Sequence, residues 1–78
     1  MENFKTTDLG IAAYLSLKGF NYSIDRTNPK KALFSFVGKD GVEINEFIKD
    51  YVDGKTLVEP IDYFNALKNV KNRLYSNL

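Results

Sequence analysis

Three groups of polar residues have the types and spacing to do chemistry. Arg26, Lys30 and Lys31 fall close together with Asn21 and Asn28 nearby, and a guanidinium with two ammonium groups can hold a phosphate from a nucleotide or a nucleic acid. The competing reading is a solvated turn whose lysines protect strand edges. Glu43, Glu46, Asp50 and Asp53 recur at helical spacing, which would put four carboxylates along one side of a helix. Such a stripe is a cation site, an acidic strip for a basic partner, or a solvated face interleaved with Lys39 and Lys49. Lys68, Lys71 and Arg73 form a modest basic stretch whose place near a helix C-terminus already suits the macrodipole. Tyr22, Tyr63 and Tyr75 are the aromatic residues that could offer a ring or hydroxyl to a ligand, with core filling as the plainer role.

What is missing narrows the chemistry further. The chain contains no histidine and no cysteine, so the commonest general base, the commonest transition-metal ligand, the thiolate nucleophile and the disulfide are all excluded. Carboxylates, lysines, tyrosines and hydroxyls remain, and no motif brings two of them together for acid and base work. We therefore expect no catalytic residue, no metal ligand and no cofactor. Eleven basic residues against ten acidic leave a net charge of +1, short of the basic excess that duplex binding usually requires. No apolar run approaches the roughly 20 residues that cross a bilayer, and Met1 to Asp8 hold neither a basic nor an apolar leader region. The expectation is a cytoplasmic protein without membrane contact.

The elements that must position these groups follow from periodicity. With 44% hydrophobic and 27% charged residues, the 78-residue chain falls in the globular class and outside the disordered one. One domain over residues 1–78 is expected, with no repeat or linker. After an extended lead-in at Phe4-Lys5-Thr6, Thr7 is a suitable N-cap for a helix over Asp8 to Lys18 that closes at Gly19. Phe20 to Asp25 alternates apolar and polar, as a half-buried strand does, and Ala32 to Val37 is its hairpin partner, with Phe34 and Phe36 inward beside Phe20, Tyr22 and Ile24. Asp40-Gly41-Val42-Glu43 has capping-box spacing before a stripe of Ile44, Phe47, Ile48, Tyr51 and Val52, and Gly54 ends that helix. Thr56-Leu57-Val58 predicts a brief strand. Pro60 then opens a last helix to about Tyr75, with Ile61, Phe64, Leu67, Val70 and Leu74 inward. The fold class is α+β: helix, hairpin, helix, short strand, helix, with the helices packed on a small antiparallel sheet.

The first helix raises a question of coverage. Leu9, Ile11, Ala12, Ala13, Tyr14, Leu15 and Leu17 leave almost no polar face, and a helix apolar all round must be buried all round. A domain this small has little material for that, so Leu9, Ile11, Tyr14 and Leu15 are expected at an interface with a second copy. The alternative is that the two later helices cover it within one chain.

Lys5-Thr6-Thr7-Asp8-Leu9, Ala12-Ala13-Tyr14-Leu15, Lys18-Gly19-Phe20, Phe34-Ser35-Phe36, Asp50-Tyr51-Val52-Asp53-Gly54 and Tyr63-Phe64-Asn65-Ala66-Leu67-Lys68 follow one another in an order that resembles a family of small uncharacterised proteins, a domain of unknown function found in bacteria, their phages and other mobile elements. The resemblance spans most of the chain and implies a genomic setting, with no activity attached. Together these features lead us to expect a non-enzymatic homo-oligomer that sequesters a small phosphorylated ligand or blocks a host protein. Arg26, Lys30, Lys31 and Arg73 would supply charge, and Tyr22 and Tyr75 a stacking surface. The alternative is a nucleic-acid-binding accessory factor, and a third possibility is a module that only contacts another protein, through the acidic stripe.

Overall fold

The structure, a computed structural model, describes residues 3–28, 30–38 and 44–75. In chain order the elements are β1 (Asn3–Thr6), α1 (Leu9–Leu17), β2 (Tyr22–Asp25), β3 (Leu33–Val37), α2 (Ile44–Val52) and α3 (Pro60–Tyr75). The fold is α+β, three helices against a three-stranded antiparallel sheet of order β1-β3-β2. The β3 strand is central and pairs antiparallel with both neighbours, so β1 and β2 run parallel, joined through α1 as a split β-α-β unit.

Register settles which side chains face the helices. Phe4, Phe36 and Tyr22 form one cross-strand row, and Thr6, Phe34 and Ile24 the next, with Phe34 and Phe36 fully buried between half-buried neighbours. Lys5, Ser35 and Ser23 alternate onto the opposite face, as the period of two demands.

The lead-in at Phe4 to Thr6 is thus a strand, and the strand predicted at Thr56-Leu57-Val58 is not formed. Four residues carry too little alternation to announce β1, whose pairing with β3 is made across the whole length of α1. Thr56 to Val58 lies outside any ladder, and Leu57 is 92% exposed.

The helix ends show local chemistry at work. Asp8, rather than Thr7, is the N-cap of α1: its carboxylate accepts from the Ile11 N–H at 3.1 Å while Thr6 Oγ1 accepts from the Asp8 N–H at 3.0 Å. At the other end Gly19 N–H donates to Ser16 O and Phe20 N–H to Leu15 O, a Schellman closure that needs the positive φ of 92° at Gly19. Gly54 closes α2 the same way, with φ 73° and Lys55 N–H donating to Asp50 O. The capping box at 40–43 lies outside the described residues. Pro60 is the first residue of α3, and Glu59 caps it by accepting from the Asp62 N–H at 2.7 Å.

Four successive residues of α1, Ala12 to Leu15, are buried, and at 100° per residue they sample the whole circumference. The cover comes from the same chain: α3 lies closest against α1, α2 touches it too, and the sheet closes the core with Phe20, Phe34 and Phe36. Tyr14 and Leu15, expected at an interface with a second copy, are instead buried within the chain, whereas Leu9 and Ile11 are half-buried at the edge of the same core. Small side chains make this possible, since Ala12 and Ala13 on α1 and Ala66 on α3 are all buried and permit close helix approach.

The inward face of α3 is also rotated from the one predicted. Tyr63, Ala66, Leu67, Val70 and Leu74 pack on the core, whereas Ile61 is 67% and Phe64 60% exposed. On α2 the stripe of Ile44, Phe47, Ile48 and Tyr51 faces inward as expected, and Val52 points to solvent at 69% exposure.

Candidate functional site

The six residues expected at a ligand site are divided by the fold. Arg26 reaches from the end of β2 to the last turn of α3, where Nη2 donates to the carbonyls of Arg73 at 2.8 Å and Leu74 at 2.6 Å. Carbonyls at this end of a helix carry the negative end of its dipole, so a guanidinium is well placed there. Arg73 lays its guanidinium over the Tyr22 ring at 4.3 Å, and that ring in turn meets Phe36 at 5.0 Å. Ser16, Gly19, Asn21, Tyr22 and Arg73 line an open depression of about 420 Å³ beside this stack.

Lys30 and Lys31 lie elsewhere. Asn28 folds their turn by accepting from the Lys30 N–H through Oδ1 at 2.9 Å, as Asp25 does for the Thr27 N–H, and the Thr27 bonds hold the Asp25 carboxyl below its usual pKa. Both lysines border a second depression, of about 270 Å³, whose other walls include Thr7, Leu9, Phe34 and Leu74. Tyr75 is 57% exposed at the end of α3. The structure thus joins Tyr22 with Arg73, sets Lys30 with Lys31, and commits Arg26 to the backbone.

Tyr63 and Gly10, which sequence reasoning did not link, form a junction at the start of α1. The Tyr63 hydroxyl donates to Gly10 O at 3.0 Å, and a Cβ at Gly10 would stand 2.5 Å from the Tyr51 hydroxyl. Burial, then the bond shared with the Tyr51 hydroxyl, pushes the Tyr63 pKa up to about 12. Tyr14 stacks on Tyr51 at 5.5 Å, and its own pKa is raised, first by burial and then by the charge of Asp50. This cluster locks the ends of α2 and α3 to α1, a structural role.

Of the acidic stripe on α2, Glu46, Asp50 and Asp53 are exposed, and Glu43 lies outside the described residues. Among the described residues no three acidic groups converge as a metal site, and no helix is long and apolar enough to cross a membrane. The feature that the sequence did not announce is the exposure of large apolar side chains between the end of α2 and the second turn of α3: Val52, Leu57, Ile61 and Phe64 are each at least 60% exposed. Ile61 and Phe64 are one turn apart on one face, and Lys68 continues it, with Nζ 5.9 Å from the Phe64 ring. Asp53, Glu59 and Asp62 are interleaved with these side chains in the chain. Period 3.6 alone allows either phase for α3, and the structure buries Ala66 and leaves Phe64 outward.

The chain belongs to the family of the domain of unknown function DUF5659, whose model matches residues 1–76. No curated protein and no solved structure matches it.

Proposed function

We propose that this protein is a non-enzymatic binding domain of the cytoplasm that works by protein contact through the outward face of Leu57, Ile61 and Phe64. The observation that carries this reading is the exposure of those side chains, 92%, 67% and 60%, in a chain that otherwise covers even an all-apolar helix. Large apolar side chains grouped with charged neighbours are what contact surfaces carry. Lys68, with Nζ 5.9 Å from the Phe64 ring, puts a positive charge on that face and favours a partner with an acidic margin. Blocking another protein, as a phage accessory protein would, is the kind of task this suits.

The test is photo-crosslinking in cells from a benzophenone side chain at position 64, with position 35 on the opposite face of the sheet as control. A discrete adduct from position 64, lost on Ile61→Asp and absent from position 35, is the expected result. Equal labelling from both positions, or none, overturns the reading.

A second reading has its own observation. The depression beside Tyr22 and Arg73 is, at about 420 Å³, within the roughly 300–1,000 Å³ of small-molecule sites. Against an anionic ligand there stand the carbonyl end of α3 and the engagement of Arg26 with it. Calorimetric titration with inorganic phosphate and with a nucleotide decides: heat that disappears in Arg73→Ala supports the small-ligand reading, and silence rejects it.

A further inference from the structure

We infer that the ligand of the depression beside Tyr22 and Arg73 is a nucleobase, held by its flat face on the Arg73 guanidinium and by its hydrogen-bonding edge on Asn21 and Ser16. The inference rests on the small-ligand reading of that depression and names what it recognises. The base belongs either to a free nucleoside or to a single strand, and the chemistry at the site is the same for both.

The Tyr22 ring is already engaged. It meets Phe34 at 6.0 Å and Phe36 at 5.0 Å, and the Arg73 guanidinium lies over it at 4.3 Å. Tyr22 is accordingly half-buried, whereas Arg73 is exposed, so the plane that meets a ligand is that of the guanidinium. A guanidinium is flat, delocalised and weakly hydrated, and a base stacks on it as on an aromatic side chain. Gly19, with no side chain, leaves the neighbouring wall open to a flat body, and about 420 Å³ has room for a base with its sugar. Ser16 brings a hydroxyl and Asn21 a carboxamide, groups that both donate and accept. A carboxamide pairs with adenine through N6 and N7, which makes adenine the best-matched base.

The same surroundings disfavour a phosphate. Among the described residues, Arg73 is the one cation that lines the depression, and its charge is shared with the Tyr22 ring. Arg26, the nearby second guanidinium, spends its bonds on the Arg73 and Leu74 carbonyls. A base needs no compensating cation, so the ring of a nucleotide is what this site holds.

The experiment is calorimetric titration of the full chain with adenosine, adenosine monophosphate and ribose phosphate, on the wild type and on Arg73→Lys and Asn21→Ala. Adenosine is expected to bind, the monophosphate to bind no more tightly, and ribose phosphate to give no heat. Arg73→Lys keeps the charge and removes the plane, so it is expected to weaken adenosine about tenfold. Asn21→Ala, at an exposed position, is expected to weaken it several-fold with an unchanged melting temperature. Oligoadenylate then distinguishes the sources: affinity above that of adenosine, falling steeply with salt, supports a base in a single strand, and affinity equal to that of adenosine supports a free nucleoside. Ribose phosphate that binds as well as the monophosphate, or Arg73→Lys that holds adenosine like the wild type, overturns the inference and preserves the small-ligand reading. Silence from every ligand removes both.

Discussion

The first helix is apolar around its whole circumference and keeps nearly all of it covered, whereas the third is an ordinary amphipathic helix that leaves Ile61 and Phe64 in solvent. Apolar content along the chain would have ranked them the other way. The difference lies in what surrounds each helix. Between the sheet on one side and α2 and α3 on the other, α1 has cover on every side, and its alanines let the neighbours come close. The third helix is itself the outer layer, so it has one face to bury and one to show. An excess of apolar residues thus marks a position in the packing order, and an outer helix leaves part of its apolar content in solvent.

The sharpest way to break the contrast is inside α1. Leu15→Ala empties a fully buried site, and the expected loss is about 2–5 kcal/mol, enough to unfold much of a domain this small, as a thermal melt would show. Gly10→Ala comes next. Its Cβ meets the Tyr51 hydroxyl at 2.5 Å, and because that ring is held against Tyr14 the junction must shift, at a cost of about 1–3 kcal/mol by denaturant titration.

Tyr63→Phe removes the hydrogen bond to Gly10 O and the one shared with the Tyr51 hydroxyl, and costs about 1–2 kcal/mol. The same residue sets an alkaline limit. Its folded pKa of about 12 exceeds the unfolded value of 10, so above pH 10 the unfolded chain releases a proton that the folded chain keeps. Stability that is complete below pH 10 therefore declines as the pH rises to about 12, and Tyr63→Phe should flatten that decline. The smallest effect on folding is expected at Phe64→Asp, within about 0.5 kcal/mol of the wild type, since the side chain is 60% exposed. A melting temperature unchanged by Phe64→Asp and sharply lowered by Leu15→Ala would confirm the contrast between the helices; equal losses would erase it.

Much of the fold was legible in the residues because it depends on neighbours in the chain. Gly19 and Gly54 close their helices by local hydrogen bonds, Pro60 opens the last helix, and the alternation from Phe20 to Asp25 and from Ala32 to Val37 puts Phe34 and Phe36 inward. Less of the candidate site was legible. Arg26 looked like a phosphate ligand because its type allows it, and only the return of α3 to the end of β2 sets it on two carbonyls. Tyr22 and Arg73, distant in the chain, meet by the same return.

The sequence by itself determined the helix closures at Gly19 and Gly54, the strand alternation and the α+β class, because each follows from residue type and spacing within a few positions. Tertiary structure alone decided that Asn3–Thr6 is the third strand, that α1 is covered from within, and that α3 turns Ala66 inward and Phe64 outward. Those outcomes depend on volumes and distances between segments far apart in the chain, and a helical period leaves the phase of its buried face to be chosen by whatever it packs against.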